Sequence, residues 1–142
     1  MAYNILVVDD SSPMRMVIRK TIEISGFSVG EYFDAANGLG ALEILENNWV
    51  DLVVTDYNMP EMNGLELIEE MKKNELFSAI PIVVITTEGS EQMVKQFIEK
   101  GAAGFIQKPF TPEDIREKLN DIIGDTKNGL GSTEGSDEDL DF

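Results

Sequence analysis

The sequence predicts an α/β fold: a doubly wound, five-stranded parallel sheet built from five strand–helix units, with helices on both faces. Short apolar runs, typical of strands buried on both faces, alternate five times with segments whose apolar residues repeat at helical spacing. The connections are short, which favours right-handed crossovers within one sheet. The 142 residues are too few for a barrel of eight such units.

The first two units fill residues 5–47. The apolar run 5–8 predicts the first strand, and residues 27–33 predict the second. We expect Ser12 to cap the first helix, with Pro13 in its first turn and Gly26 at its end. The second helix is predicted over residues 38–47. The side chains expected to face inward are Met14, Val17, Ile18, Ile22, Leu39, Leu42 and Leu45.

The last three units fill residues 52–124. Residues 52–54, 81–85 and 103–106 predict strands, and the turn-rich loop 57–64 leads into the third helix. The fourth helix is predicted over residues 90–100. A last helix should begin after Thr111 and end at Gly124. The inward side chains expected in these helices are Leu65, Ile68, Met71, Met93, Val94, Phe97, Ile98, Ile115, Leu119 and Ile122.

The net charge is −16, from 27 acidic and 11 basic side chains. Residues 125–142 hold six acids and one lysine and little that can be buried, so they predict an acidic, disordered C-terminal tail. The folded domain is predicted over residues 3–124. So large an excess of anions excludes nucleic acid as a partner and disfavours anionic membrane surfaces.

Cysteine and histidine are both absent. Their absence excludes disulfides, thiol nucleophiles, zinc–thiolate sites and an imidazole base. No apolar run approaches the ~20 residues of a membrane span, and the N-terminus lacks a basic signal region, so we expect a cytoplasmic protein without membrane insertion. Any chemistry must use carboxylates, hydroxyls, lysine, backbone groups or a hard metal ion.

Polar side chains follow four of the predicted strands. Asp9 and Asp10 follow the first, Asp56 the third, Thr86 the fourth and Lys108 the fifth. Because the carboxyl ends of parallel strands share one edge of the sheet, we expect these groups to converge. Each residue alone is more typical of a cap or a turn, but their joint placement favours a site.

Three carboxylates in one cleft repel one another, so either some protonate or a cation binds. Hard oxygen ligands favour Mg²⁺. With the metal present, the site suits a phosphoryl group. Its oxygens would be neutralised by Mg²⁺ and Lys108, the Thr86 hydroxyl would donate to one of them, and a carboxylate would serve as nucleophile.

These residues resemble a known family, the response-regulator receiver domains, and most closely the single-domain chemotaxis type, with a flavodoxin/CheY-like (βα)5 fold. The resemblance covers nearly all of residues 3–124 and not the tail. The matching motifs are Val7-Val8-Asp9-Asp10, Asp56-Tyr57-Asn58-Met59-Pro60 with Asn63-Gly64, Ile85-Thr86, Gly101-Ala102 with Gly104, and Lys108-Pro109-Phe110.

The resemblance implies a two-component response regulator. Asp56 would accept a phosphoryl group from the phosphohistidine of a histidine kinase, and Lys108 would pair with Asp56 and the phosphoryl oxygens. Asp10 and Asp56 would bind Mg²⁺ directly, Asn58 through its backbone carbonyl and Asp9 through water. The domain would be a signalling phosphoacceptor with slow self-dephosphorylation rather than an enzyme.

The resemblance also implies a switch. Thr86 would move toward the phosphoryl group and Phe105 would change rotamer, altering the face made by the fourth helix, fifth strand and fifth helix. A flagellar switch protein is the expected target, and the chain is expected to be mostly monomeric, with a dimer through the same face as the alternative. The Lys108–Pro109 peptide is expected to be cis.

Four positions concern turnover or depart from the family pattern. Asn58 and Glu88 occupy positions that tune self-dephosphorylation in this family. Thr87 stands where a small residue is frequent and would narrow access to the phosphoacceptor. Phe105 replaces the tyrosine of many chemotaxis members and cannot donate a hydrogen bond.

Other functions stay open on the residues alone. A phosphorelay or stand-alone receiver outside chemotaxis fits the same motifs. A dehalogenase-like phosphatase also uses an aspartate nucleophile, but needs an Asp-x-Asp pattern after the first strand. A flavodoxin-like cofactor binder would need an acid-free phosphate loop there. A docking-only pseudo-receiver would lack Asp10, Asp56 or Lys108.

Overall fold

A computed structural model of the chain describes residues 2–87 and 89–131. Its five strands form one parallel sheet in the order β2-β1-β3-β4-β5, which confirms the predicted fold class. The elements are β1 (Tyr3–Val8), α1 (Ser12–Ser25), β2 (Val29–Ala35), α2 (Gly38–Asn47), β3 (Leu52–Thr55), α3 (Gly64–Lys73), β4 (Ile82–Thr86), α4 (Glu91–Lys100), β5 (Gly104–Gln107) and α5 (Pro112–Gly131).

The sheet separates two apolar cores. Alternate residues of a strand face opposite sides, so Leu6 and Val8 of β1 pack with α2, α3 and α4, while Ile5 and Val7 pack with α1 and α5. All four side chains are fully buried. This two-sided burial explains why the central strands are uniformly apolar in sequence.

The chain reverses its direction of travel across the sheet at β1. Strand β2 pairs with one edge of β1 and β3 pairs with the other, Val8 lying opposite both Ala35 and Thr55. The carboxyl ends of β1 and β3 are therefore adjacent at the topological switch point. Open α/β sheets bind their ligands in the crevice at this point.

Most helix boundaries agree with the sequence, but the cap of α1 is one residue earlier than predicted. The Ser11 hydroxyl accepts a hydrogen bond of 3.2 Å from the Met14 amide, and Ser12 is already helical. Gly26 ends the helix with φ +85°, as expected for a left-handed cap. At α5, Thr111 and Asp114 exchange hydrogen bonds of 3.0 Å, which cap the helix where it was predicted to begin.

Three helix side chains predicted to face inward are instead about half exposed: Val17, Leu39 and Ile98. Successive helical residues lie ~100° apart around the axis. Val17 and Ile98 each adjoin a buried residue, Ile18 and Phe97, which takes the inward direction. Leu39 lies two residues, and so more than half a turn, from the fully buried Ala41.

The predicted helix end at Gly124 is wrong, because α5 continues to Gly131. Gly124 does not have the positive φ of a left-handed cap. A helical glycine costs about 1 kcal/mol relative to alanine without ending the helix. Residues 132–142 lie outside the described residues, so disorder of the acidic tail stays a prediction.

Among the described residues, no helix combines the length and the apolar character that crossing a membrane requires.

Candidate phosphoryl and metal site

Backbone pairing fixes two of the predicted acidic residues at the switch point. Asp9 directly follows β1, and its amide donates a hydrogen bond of 3.1 Å to the Ala35 carbonyl of β2. Asp56 directly follows β3, and its amide donates one of 2.9 Å to the Val8 carbonyl of β1. Because both bonds continue the sheet, the two side chains project from neighbouring strands into the same crevice.

The structure brings the three predicted carboxylates together. Asp9, Asp10 and Asp56 each offer a carboxylate oxygen, and these oxygens lie within 4.8 Å of one another. Asp9 is 2% exposed and Asp56 9% exposed, whereas Asp10 faces solvent. The cluster therefore has a buried floor and one accessible acidic edge.

Lys108 is the cation of this cluster. Its Nζ lies 3.6 Å from Asp9 Oδ2 and 3.7 Å from Asp56 Oδ1. The Lys108 amide donates a hydrogen bond of 2.9 Å to the carbonyl of Thr86, which ties the loop after β5 to the end of β4. The Lys108–Pro109 peptide is cis, as predicted. One ammonium group does not balance three carboxylates.

The electrostatic imbalance is evident at Asp56, whose carboxyl pKa is raised above its usual value. Burial is the largest cause, and the negative charges of Asp9 and Asp10 add to it. The Lys108 ammonium and the Tyr57 amide, which donates to Asp56 Oδ1 at 2.8 Å, act in the opposite direction. The carboxylate of Asp56 is thus held in an unfavourable environment.

One carboxylate oxygen at the floor of the site lacks a hydrogen bond. Asp9 Oδ1 accepts from the Ser11 amide at 2.9 Å, but Asp9 Oδ2 is buried with no hydrogen-bond donor among the described residues. This unsatisfied oxygen and the two neighbouring carboxylates together form a set of hard oxygen ligands. Asp9, Asp10 and Asp56 therefore fit a divalent cation such as Mg²⁺.

Four other predicted site residues lie at or shortly after the ends of β3 and β4 in the sequence. Thr86 ends β4 and is buried, while Thr87 after it and Asn58 after Asp56 are exposed. Glu88 lies outside the described residues. The roles assigned to these side chains stay predictions.

A glycine shapes the loop that follows Asp56. The Gly64 amide donates a hydrogen bond of 2.9 Å to the Tyr57 carbonyl. A Cβ at Gly64 would lie 2.7 Å from the Asp56 carbonyl oxygen, too close for any other residue without movement of the loop. This close approach explains the glycine of the predicted Asn63-Gly64 motif.

Aromatic rings connect the site to β5. The ring centroids of Tyr57, next to Asp56, and Phe97 of α4 are 5.5 Å apart. Phe97 also stacks on Phe105 of β5, with 5.9 Å between the ring centroids. Phe97 is fully buried and Phe105 partly buried. The sequence predicted Phe97 only as a core residue, and helical spacing holds no signal of its two aromatic contacts.

Arg15 is a site residue that the sequence reasoning missed. Its Nη1 donates a hydrogen bond of 2.6 Å to the main-chain carbonyl of Asp9, and its Nε lies 3.6 Å from Asp34 of β2. A cation near a helix N-terminus is electrostatically unfavourable without a partner. The position of Arg15 near the start of the predicted first helix was therefore the sequence signal that it has a nearby acidic or carbonyl partner.

An open parallel sheet with a carboxylate cluster and a lysine at the carboxyl ends of its strands defines a class of α/β domains with an acidic site that could hold a metal ion. The family of the chain within this class follows from its sequence. The model of the response regulator receiver domain matches residues 5–120, which is most of the chain. The chain belongs to that family, which excludes the dehalogenase-like and flavodoxin-like alternatives.

The relatives are of the CheY type. A chemotaxis protein CheY homolog of Campylobacter jejuni is 40% identical over 131 residues, covering 92% of this chain and 98% of the relative. Chemotaxis protein CheY1 of Helicobacter pylori is 41% identical over 121 residues, covering 84% of this chain and 96% of the relative. The structure of chemotaxis response regulator CheY4 of Vibrio cholerae superposes with a TM-score of 0.75 at 30% identity, covering 86% of this chain and 99% of that protein's chain. The chain is thus a CheY-type receiver, a signalling domain.

Proposed function

We propose that this domain accepts a phosphoryl group on Asp56 from the phosphohistidine of a histidine kinase, with Mg²⁺, and thereby controls a protein partner. The supporting observation is the position of the Asp56 carboxylate, which is nearly buried between Lys108 and two further carboxylates. Membership of the receiver family implies such a donor and a downstream target.

The transfer requires one new bond and one broken bond. An oxygen of the Asp56 carboxylate attacks phosphorus as the P–N bond to histidine breaks, giving an acyl phosphate and free histidine. Asp56 Oδ1 accepts the Tyr57 amide, so Oδ2 has the lone pairs for the attack. Lys108 would pair with the phosphoryl oxygens, and the Thr86 hydroxyl would donate to one of them.

Mg²⁺, when bound, would neutralise charge on the phosphoryl oxygens. Asp10, Asp56 and the backbone carbonyl of Asn58 would hold it directly, and Asp9 through water. The support is the hard oxygen set and the unsatisfied Asp9 Oδ2. With these ligands engaged, Lys108 is left to bind the incoming group.

Phosphorylation would then change the surface formed by α4, β5 and α5. It replaces one negative charge by about two and adds acceptor oxygens, which attract the Thr86 hydroxyl. Movement of Thr86 and a rotamer change of Phe105 would alter this surface. Since the relatives named above are chemotaxis proteins, a flagellar switch protein is the proposed target of a cytoplasmic, mostly monomeric domain.

Three positions would set the lifetime of the acyl phosphate, which we expect to hydrolyse slowly. Asn58 and Thr87 are exposed and follow Asp56 and Thr86 closely in the sequence, and Glu88 is the next residue after Thr87. Substitution at these positions should change the rate of self-dephosphorylation more than the capacity to accept a phosphoryl group.

The proposal is tested by incubating the protein with Mg²⁺ and acetyl phosphate and measuring its intact mass. We expect one added phosphoryl group, its loss in Asp56→Asn, and its retention in the matched control Asp121→Asn, an exposed residue of α5. Uptake that persists in Asp56→Asn would overturn the assignment. Uptake without added Mg²⁺ in the presence of a chelator would overturn the metal requirement.

A further inference from the structure

A groove of about 420 Å³ lies on the proposed output surface, between β5 and α5. We call it the acidic groove and define it by six of its lining residues: Phe105, Ile106, Pro109, Asp114, Glu117 and Asp121. Phe105, which is partly buried, and Pro109, which is exposed, supply its apolar surface, while Ile106 is almost wholly buried. The last three residues place carboxylates along α5. The groove thus combines a small apolar contact surface with an excess of negative charge.

The carboxylates of this groove are poorly compensated. Among the described residues that line it, Lys118 is the one cation, and its aliphatic stem packs over Gly104 of β5. Asp114 is engaged in capping α5, where it accepts a hydrogen bond of 3.0 Å from the Thr111 amide. Within the described part of the chain, neither Glu117 nor Asp121 forms an ion pair.

The floor of the groove is connected to the site. Phe105 stacks on Phe97, and Phe97 contacts Tyr57, which directly follows Asp56. A rearrangement at Asp56 would therefore reach the groove through packed rings. The dependence of the groove on phosphorylation rests on the proposed function, whereas its charge and shape do not.

We propose that the acidic groove binds a partner segment that carries lysine or arginine side chains around an apolar anchor. The anchor packs on Phe105 and Pro109, and the cations face Glu117 and Asp121. Charge complementarity of this kind selects partners and orients their approach, while like charges repel. A segment with acidic flanks is accordingly excluded, although it would bury the same apolar anchor.

The test uses two synthetic peptides with the same apolar anchor, one flanked by lysines and the other by glutamates. Each is titrated into the full chain at low salt, and binding is followed by backbone amide NMR shifts. We expect the lysine peptide to shift the amides of β5 and α5, to bind more weakly as salt is raised, and to exceed the glutamate peptide in affinity. Absence of binding, or stronger binding of the glutamate peptide, overturns the proposal.

Matched charge reversals identify the surface. Glu117→Lys with Asp121→Lys should weaken the lysine peptide about tenfold and strengthen the glutamate peptide. Glu43→Lys with Glu46→Lys makes the same change of net charge on exposed positions of α2 and should leave affinity within about twofold. Equal loss in both double variants would mean nonspecific attraction and would overturn the proposal.

Mass measurement on the same samples separates this proposal from the phosphoacceptor function. Both double variants should still take up a phosphoryl group from acetyl phosphate with Mg²⁺. Phosphoryl uptake without selective peptide binding overturns the groove proposal and supports the phosphoacceptor function. Selective peptide binding without uptake supports the groove proposal and overturns the phosphoacceptor function.

Discussion

Arg15 of α1 donates a hydrogen bond of 2.6 Å from Nη1 to the main-chain carbonyl oxygen of Asp9. The same guanidinium lies 3.6 Å from Asp34 of β2, so one side chain joins α1 to the ends of two strands. The carbonyl belongs to the peptide that links Asp9 to Asp10. Arg15 therefore fixes the orientation of this peptide and, through it, the two acidic side chains.

We predict that Arg15→Gln lowers the affinity for Mg²⁺ about tenfold, the usual effect of losing a residue that orients metal ligands. Glutamine is too short to keep both contacts, so the Asp9–Asp10 peptide gains freedom while the carboxylates remain. Isothermal titration calorimetry with Mg²⁺ measures the change directly. A positioning role also predicts that Arg15→Lys restores little affinity, because lysine cannot bridge both groups in a planar fork.

Arg19→Gln is the matched control. Arg19 pairs with the same Asp34 at 3.5 Å, one turn further along α1, but within the described part of the chain it forms no hydrogen bond or ion pair with Asp9. We expect its Mg²⁺ affinity to stay within about twofold of the wild type, as is usual for an exposed ion pair. If both variants lost affinity equally, the effect would come from Asp34 or from overall charge.

The site was predictable where it depends on strand ends. Apolar runs identify β1 and β3, and parallel topology then places Asp9 and Asp56 side by side. The contacts of Arg15 with Asp34 and of Phe97 with Phe105 were not predictable, because they depend on how helices settle against strands distant in sequence. The Ser11 cap was missed because two adjacent serines offer the same hydroxyl, and only backbone geometry decides between them.

The second prediction concerns stability: Asp56→Asn should stabilise the metal-free domain at pH 7 by about 1 kcal/mol. The pKa of Asp56 is raised in the folded state, mainly by burial. A raised pKa means that this carboxyl contributes stability below its usual pKa, and that the contribution is lost as pH rises through the folded value. The amide removes the charge and still accepts the Tyr57 amide hydrogen bond.

Urea denaturation at pH 7 with a chelator, and again with excess Mg²⁺, checks this. The advantage of Asp56→Asn should shrink or reverse with Mg²⁺, because the cation stabilises the wild-type carboxylate cluster by binding only the folded state. A variant less stable than the wild type without metal would show that the Lys108 contact outweighs the cost of burial.

The third prediction tests the aromatic contacts. Phe97→Ala should destabilise the domain by about 3–5 kcal/mol, the usual cost of removing a buried phenylalanine side chain. Phe97 is fully buried between Tyr57 and Phe105. Its neighbour Ile98 is 49% exposed, so Ile98→Ala in the same helix turn should cost far less, about 1 kcal/mol or below. The shift in urea midpoint measures both, and equal losses would contradict the observed burial.

The fourth prediction concerns alkaline pH. Burial, with help from Glu23, raises the pKa of the Tyr32 phenol to about 12, and the Arg19 guanidinium 4.9 Å above its ring only partly opposes this. A phenol ordinarily ionises near pH 10, so unfolded chains lose their proton first. The stability due to the neutral phenol is complete below about pH 10 and is lost as pH rises through about 12.

Tyr32→Phe has no phenol to ionise, and its urea midpoint should therefore fall less steeply than that of the wild type between about pH 10 and 12. Lysine side chains also titrate in this range, but they are the same in both proteins, so the difference in slope reports Tyr32. Absorbance at 295 nm gives an independent measurement, because the variant should lose the component that ionises at the highest pH. Equal pH slopes of the urea midpoint in both proteins, together with an unchanged absorbance titration, would contradict a pKa of Tyr32 raised by burial.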